Sequence, residues 1–310
     1  MGEARRRQLA QGNTEASSGQ ALVESSAGWP LSNPHEQARL EVQFADLGID
    51  FSACGFQDSP AFLAHEWRRP EFLDDYARYV EVRAYAETEL QAAQRKIEVA
   101  AGVVSAAVKA DGRHGLCVTA SGVLSRMLDE MGVWNFCVKG TMTVTFPPGV
   151  SIDKQFFHAL DTGSFEAAHA FVVAPPFLVV DATASAQSYP SASMRASLPP
   201  LILQRDFIPY RWKDEDIASP LVRRAQIAGT SVRGYLQTLN PLMLNRMDEF
   251  PGRVAVFPGG NCAYVVVGIG GYMEKLADLT SVHTMLAGKT PLTLFEDEVL
   301  PLLASSPQGT

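Results

Sequence analysis

The sequence predicts an α+β fold in which a helix opening on a cysteine packs against an antiparallel sheet that carries a histidine and an aspartate. Three observations lead there. Behind the loop Asp111–Gly112–Arg113–His114–Gly115, the residues Ala120, Val123, Leu124, Met127, Leu128 and Met131 recur at helical spacing. Two apolar runs, His169 to Val173 and Phe177 to Asp181, flank Ala174–Pro175–Pro176, where the prolines demand a turn and hence a hairpin. A second hairpin is expected from Val254 to Phe257 and Cys262 to Val267 around Pro258–Gly259–Gly260–Asn261.

Taken in chain order, residues 1–36 are rich in Gln, Ser, Gly, Ala and Glu, a composition that buries too little surface to fold and predicts a disordered tail. From Pro70 to about Lys109 the chain reads as helical, with no internal proline and no glycine before Gly102. The cysteine helix follows, and Gly132 marks its end. Val133 to Val138 and the alternating Thr141 to Phe146 then read as strands. Residues 182–200, rich in Ser, Ala and Pro, read as a loop, and a short helix is expected from about Tyr272 to Leu286. The domain reading is a tail (1–36), a helical lead-in plus core (37–190), and a C-terminal part (191–310) that extends the sheet or forms a small appended lobe.

Composition narrows the function classes. The 46% hydrophobic and 19% charged content belongs to a folded globular protein. A formal charge of −8 argues against a nucleic-acid partner held through phosphates, and the crowd Arg205, Arg211, Arg223, Arg224 and Arg233 reads as a solvated face. No apolar run approaches bilayer length, so no membrane partner is expected. The four cysteines (Cys54, Cys117, Cys137, Cys262) are scattered, which predicts a reducing, cytoplasmic setting without a disulfide framework.

Cys117 carries the chemistry. A thiol at the mouth of a helix sits among unpaired N–H groups, and the helix dipole favours the thiolate that acts as nucleophile. Such a thiolate needs an imidazole, and the imidazole needs an acceptor that fixes its tautomer. If the hairpin turn centres on Pro175, His169 and Asp181 face one another across the strands; a register off by one would put them on opposite faces and require a bulge. The bland alternatives are a packed small residue at 117 and a structural His–Asp pair.

The run Gly115–Leu116–Cys117, Ala120, Leu124 to Leu128, Gly132 and Gly140, then His169–Ala170–Phe171–Val172–Val173 and Asp181–Ala182–Thr183, resembles the core of the transglutaminase-like (papain-like cysteine enzyme) superfamily over roughly residues 95–190. The resemblance implies Cys117 as nucleophile, His169 as general base and then acid, and Asp181 as the group orienting the imidazole. It implies acyl transfer at an amide through a thioester, in a peptidase, an amidase or deamidase, or an amine transferase. The expected partner is a peptide, a protein or a small amide, with no cofactor or metal. The backbone N–H of Cys117 is one candidate oxyanion donor; Tyr79, Tyr85 and His114 are the side chains considered for that role. Two other classes stay open: a non-catalytic peptide- or protein-binding module of the same fold, and a zinc enzyme using His114, Cys117, His169 and Asp181. His158, preceded by Phe156 and Phe157, reads as a partly buried core residue, and Gly268–Ile269–Gly270–Gly271 as a backbone turn rather than a phosphate loop.

Overall fold

The computed structural model describes residues 28–149, 154–158, 160–161, 165–166 and 169–305. Helices α1 (Pro34–Asp46), α2 (Pro60–Glu66), α3 (Phe72–Val82), α4 (Glu87–Asp111) and α5 (Cys117–Glu130) come first. Strands β1 (Phe136–Thr145), β2 (Lys154–Phe157), β3 (Leu160–Asp161), β4 (Phe165–Glu166), β5 (His169–Ala174) and β6 (Phe177–Asp181) follow. Then come α6 (Ala192–Ala196), β7 (Ile202–Gln204) and β8 (Pro209–Tyr210). Helices α7 (Ser219–Ile227), α8 (Val232–Leu239) and α9 (Pro241–Glu249) lead into β9 (Gly252–Phe257) and β10 (Gly260–Gly270). Helical turns from Pro291 to Ala304, π-wound over Phe295–Val299, close the described chain.

The fold is α+β, built on an eight-stranded sheet in the order β7-β6-β5-β1-β10-β9-β8, with β2 beside the far half of β1. Every pairing in it is antiparallel. Because β10 lies against β1 at the centre, residues 191–310 build the same sheet as the rest. Alternate side chains point to opposite faces: Val173 and Val179 join a core with α1 and α3, whereas Val172 and Val180 join one with α4 and α5. Val265 and Val267 enter a third core with α7, α8 and α9. With both faces covered, β5 and β6 are buried at every described position, which explains why their sequences are continuously apolar rather than alternating. Among the described residues no helix is long and apolar enough to cross a membrane.

Several expectations are corrected. The helix expected over 70–109 is two, because the chain extends at Arg83 (φ −59°, ψ 139°). Tertiary partners replace the helical ones there: Ala84 N–H donates to Gln37 Oε1 at 2.8 Å, and Ser32 Oγ donates to the Arg83 carbonyl at 3.0 Å. The two strands expected over 133–146 are one, starting at Phe136 and carrying a bulge between Lys139 and Gly140. Residues 182–200 contain a 3₁₀ turn, Ala184–Ala186, and α6, capped by the Ser191 hydroxyl. No α-helix forms over 272–286; a 3₁₀ turn at Leu276–Asp278 is followed by loop. Leu276, Leu279 and Leu286 are buried, so leucines reaching inward from a loop mimic a helical period. The ordered chain also begins before residue 37, since Trp29 is buried with its Nε1–H donating to the Glu81 carbonyl at 2.6 Å. The tail expected over residues 1–27 lies outside the described residues.

Candidate active site

Gly115 turns the chain with φ +74°, a conformation that costs a glycine little, and α5 then begins at Cys117. No side chain caps that helix, so its first-turn N–H groups and the positive end of its dipole are left for the thiol and for whatever approaches it. The helix lies against β5 and β1. His169 is the first residue of β5 and pairs with Gly140 of β1.

Asp181, the last residue of β6, meets His169: Nε2 and Oδ2 are 2.7 Å apart, and both side chains are sealed from solvent. The register that achieves this differs from the expected one. Ala174 pairs with Phe177 across a two-residue Pro175–Pro176 turn, while Val172 pairs with Val180, so the ladder shifts by one between them. Carried onward, that register sets His169 level with Thr183, and Asp181 is its diagonal neighbour on the same face. Without the shift the two would emerge on opposite faces. The bulge therefore makes the pair.

Asp181 is fully partnered. Its Oδ1 accepts from the Thr183 N–H at 2.8 Å and the Thr183 hydroxyl at 3.0 Å; its Oδ2 also accepts from the Tyr264 hydroxyl at 2.9 Å. Burial acts to raise its pKa, but the His169 charge and these donors prevail and hold it below the ordinary value. An ionised Asp181 assigns the proton to Nε2 of His169 and leaves Nδ1 as the free nitrogen. Burial acts to lower the imidazole pKa, yet Asp181 raises it overall.

The buried Nδ1 has no well-formed hydrogen-bond partner. The group it influences is Cys117, where burial acts to raise the thiol pKa but the hydrogen-bonding and charge interaction with His169, together with the Ala170 N–H, brings it below the ordinary value. The other three thiols go the opposite way. Burial pushes Cys54 up to about 11 and Cys137 to about 12, and raises Cys262 as well. Cys117 retains 5% exposure.

The side chains considered as oxyanion donors are elsewhere. The Tyr79 hydroxyl donates to Glu41 Oε1 at 3.2 Å in the core on α3, and the Tyr85 hydroxyl, beyond the end of α3 and partly buried against that core, donates to the Val80 carbonyl at 2.8 Å. His114 Nδ1 lies 3.3 Å from the Ala186 carbonyl on the surface, so the four residues weighed as zinc ligands do not converge. Among the described residues no three His, Cys, Asp or Glu side chains are set to hold a metal ion. His158 is partly buried, stacked on Phe156, with Nε2 3.0 Å from the Glu215 carbonyl.

Two residues that complete the site escaped the sequence reading as participants. Tyr264 reaches Asp181 from β10, two strands beyond β5. A tyrosine within the apolar run Cys262–Val267 was the available signal, because a buried phenol needs a partner. Gly140 explains how the ring gets there. A Cβ at Gly140 would stand 2.8 Å from the Val265 carbonyl and 3.3 Å from the Phe171 ring, and the Phe171 and Tyr264 rings meet with centroids 4.9 Å apart. Comparisons with family models, with curated proteins and with solved structures found no match. Function must be read from the geometry.

Proposed function

We propose that the chain is a cysteine-dependent acyl-transfer enzyme of the transglutaminase-like kind, acting on an amide of a peptide, a protein or a small molecule. The observation that carries this reading is the unsatisfied Nδ1 of His169, whose other nitrogen is clamped by Asp181, next to the one thiol among the four whose pKa is lowered. Packing alone gives no reason to bury an imidazole half-satisfied, since an unpartnered buried polar atom costs about 1–3 kcal/mol.

In the reaction, the Cys117 sulfur attacks the carbonyl carbon and the carbonyl electron pair moves onto oxygen. The first-turn N–H groups of α5, that of Cys117 among them, are the donors for that oxyanion. His169, holding the thiol proton on Nδ1, delivers it to the departing nitrogen as the C–N bond breaks and a thioester remains. The same nitrogen then takes a proton from water or from an amine, which attacks the thioester and releases the sulfur. Asp181 stays ionised throughout, keeping the Nε2–H in place and the imidazolium stabilised.

The test is alkylation by iodoacetamide at pH 6, followed by peptide mass spectrometry. Cys117 should react well ahead of a free-cysteine standard and ahead of Cys54, Cys137 and Cys262, and His169→Gln should remove that advantage. A Cys117 no more reactive than the standard in the folded protein would overturn the assignment and favour a non-catalytic binding module.

A further inference from the structure

A cavity of about 370 Å³ opens beside the proposed site, between the C-terminal end of α4, the loop before α5 and the segment after β6. Its wall includes Ala182, which follows Asp181 directly, and His114, three residues before Cys117. Three residues of chain span at most about 11 Å, and neighbouring Cα atoms lie about 3.8 Å apart, so the wall of the cavity comes within about 11 Å of the Cys117 Cα. Ser105 Oγ donates to the Pro200 carbonyl at 2.8 Å and ties α4 to the far wall.

The lining is one-sided in charge. Lys109, Arg113, His114 and Arg195 contribute to it, and no Asp or Glu does, although the whole chain carries −8. Arg113 is neutralised by Asp111 outside the wall, Nε to Oδ1 at 2.5 Å. Arg195 is not: its Nε is buried without a hydrogen-bond partner, and among the described residues its side chain makes no ion pair. Lys109, exposed at the rim, has no ion-pair partner among the described residues either. The remaining wall is apolar, with Val108, Ala182 and Leu198. The half-buried Arg195 keeps its Nε unpartnered, a donor that an acceptor would satisfy, and the planar guanidinium fork matches a carboxylate.

We infer that this cavity is the acyl-donor subsite of the enzyme and that it selects substrates bearing a carboxylate beside the amide attacked by Cys117, with Arg195 as the recognising residue and Lys109 as the steering charge at the rim. The inference rests on the acyl-transfer reading of Cys117 and adds the substrate class. A cationic amine is disfavoured in the same space, so the acceptor enters from another side.

Chloroacetyl-glycine and chloroacetyl-glycinamide, which differ only in the carboxylate beside the amide, test this on the intact chain. In both, the Cys117 sulfur displaces chloride from the chloroacetyl carbon, and the thiol proton passes to His169. Mass spectrometry of the Cys117 peptide gives the two rate constants, each divided by the rate with a free thiol. The acid should be about tenfold faster than the amide at Cys117, the gain from one charge-assisted hydrogen bond. Arg195→Glu should bring the ratio to one or below, and the exposed Lys109→Glu should lower it in part. Equal rates for the two reagents, or a preference that survives both charge reversals, would overturn the subsite while the reactivity of Cys117 stands. If neither reagent outpaces its reaction with the free thiol, the acyl-transfer reading fails first, and the subsite with it.

Discussion

Among the described residues two charge pairs lie fully sealed from solvent, and they are finished differently. Arg253 of β9 and Glu81 of α3 meet at 2.7 Å with side chains 1% and 0% exposed. Each nitrogen of that guanidinium group donates: Nε to the Pro251 carbonyl, Nη1 to the Leu178 carbonyl and Nη2 to Glu81, whose other oxygen accepts from Arg78. His169 and Asp181 are equally buried and equally close, yet one atom of theirs, Nδ1, has no formed bond. A buried pair that joins α3, β6, β9 and the segment of Trp29 has satisfaction as its end. A buried pair that keeps one nitrogen open beside a thiol suits the proton transfer proposed for it. Completeness of hydrogen bonding, rather than burial or distance, separates the two.

The largest effect should come from breaking the satisfied pair. Arg253→Met leaves the Glu81 carboxylate buried with only Arg78 at 3.3 Å, and orphaning a buried charge costs about 3–5 kcal/mol. Urea unfolding should record that loss while iodoacetamide still finds Cys117 reactive below the midpoint. If the variant is as stable as the parent, Arg253–Glu81 is not the anchor that its geometry makes it.

Asp181→Asn should invert the pattern. A neutral amide removes the charge that raises the His169 pKa, so the imidazolium is lost at lower pH and the Cys117 thiolate loses its partner. Alkylation at pH 6 should fall about a hundredfold, the scale of a positioned acid–base group, and the reactivity midpoint of Cys117 should rise towards about 8.5. The pH dependence of stability follows from the directions. Asp181 is lowered, so its contribution is present above the ordinary carboxylate pKa and disappears as pH falls through its folded value. His169 is raised, so its share is complete below about pH 6.5 and disappears as pH rises through its folded value. Parent and variant melting curves should differ most near neutrality and converge at both extremes; a gap that stays constant with pH would break the comparison.

The two pairs also differed in how far they could be read from sequence. The cysteine helix was legible because six apolar residues repeat over one face and glycines bracket it. The meeting of His169 and Asp181 was legible because a proline turn brings β5 and β6 together locally. Its register was not, since the shift between Val172 and Ala174 has no mark in the sequence. Arg253 and Glu81 are 172 residues apart, and nothing near either predicts a buried charge. Tyr264 was hidden for the same reason: its partner Asp181 is 83 residues away. Long-range pairings are set by sheet order, which local pattern does not encode. The break at Arg83 and the loop over 272–286 were misread for a related cause. Hydrogen bonds from distant residues override helical propensity at the first, and at the second buried leucines imitate a helical face.

Gly140→Ala probes the gap that lets the rings of Phe171 and Tyr264 meet. The added methyl would lie 2.8 Å from the Val265 carbonyl, a backbone atom that yields only if β10 moves. A loss of about 1–3 kcal/mol is expected from overpacking, read as a shift in the urea midpoint, together with slower alkylation of Cys117 as Tyr264 is displaced. A stable variant of unchanged reactivity would mean that β1 and β10 can separate without disturbing Asp181.

The gentlest change, Tyr264→Phe, isolates one hydrogen bond. The ring stays against Phe171 and only the hydroxyl donor to Asp181 Oδ2 is removed. Stability should fall by about 1.5–3 kcal/mol if a bond to a charged carboxylate is lost outright, and by less if water reaches the oxygen. With one donor fewer, the Asp181 charge is less stabilised and its pKa rises. The Cys117 midpoint should respond only weakly, because the charge of Asp181 persists at neutral pH. Arg253→Met and Tyr264→Phe thus bracket the contrast between the pairs: one lowers stability without touching the thiol, and the other trims the support of the reactive pair while leaving its charges in place. Should Tyr264→Phe shift the Cys117 midpoint as far as Asp181→Asn does, the phenol itself, and not the carboxylate it supports, governs the imidazole.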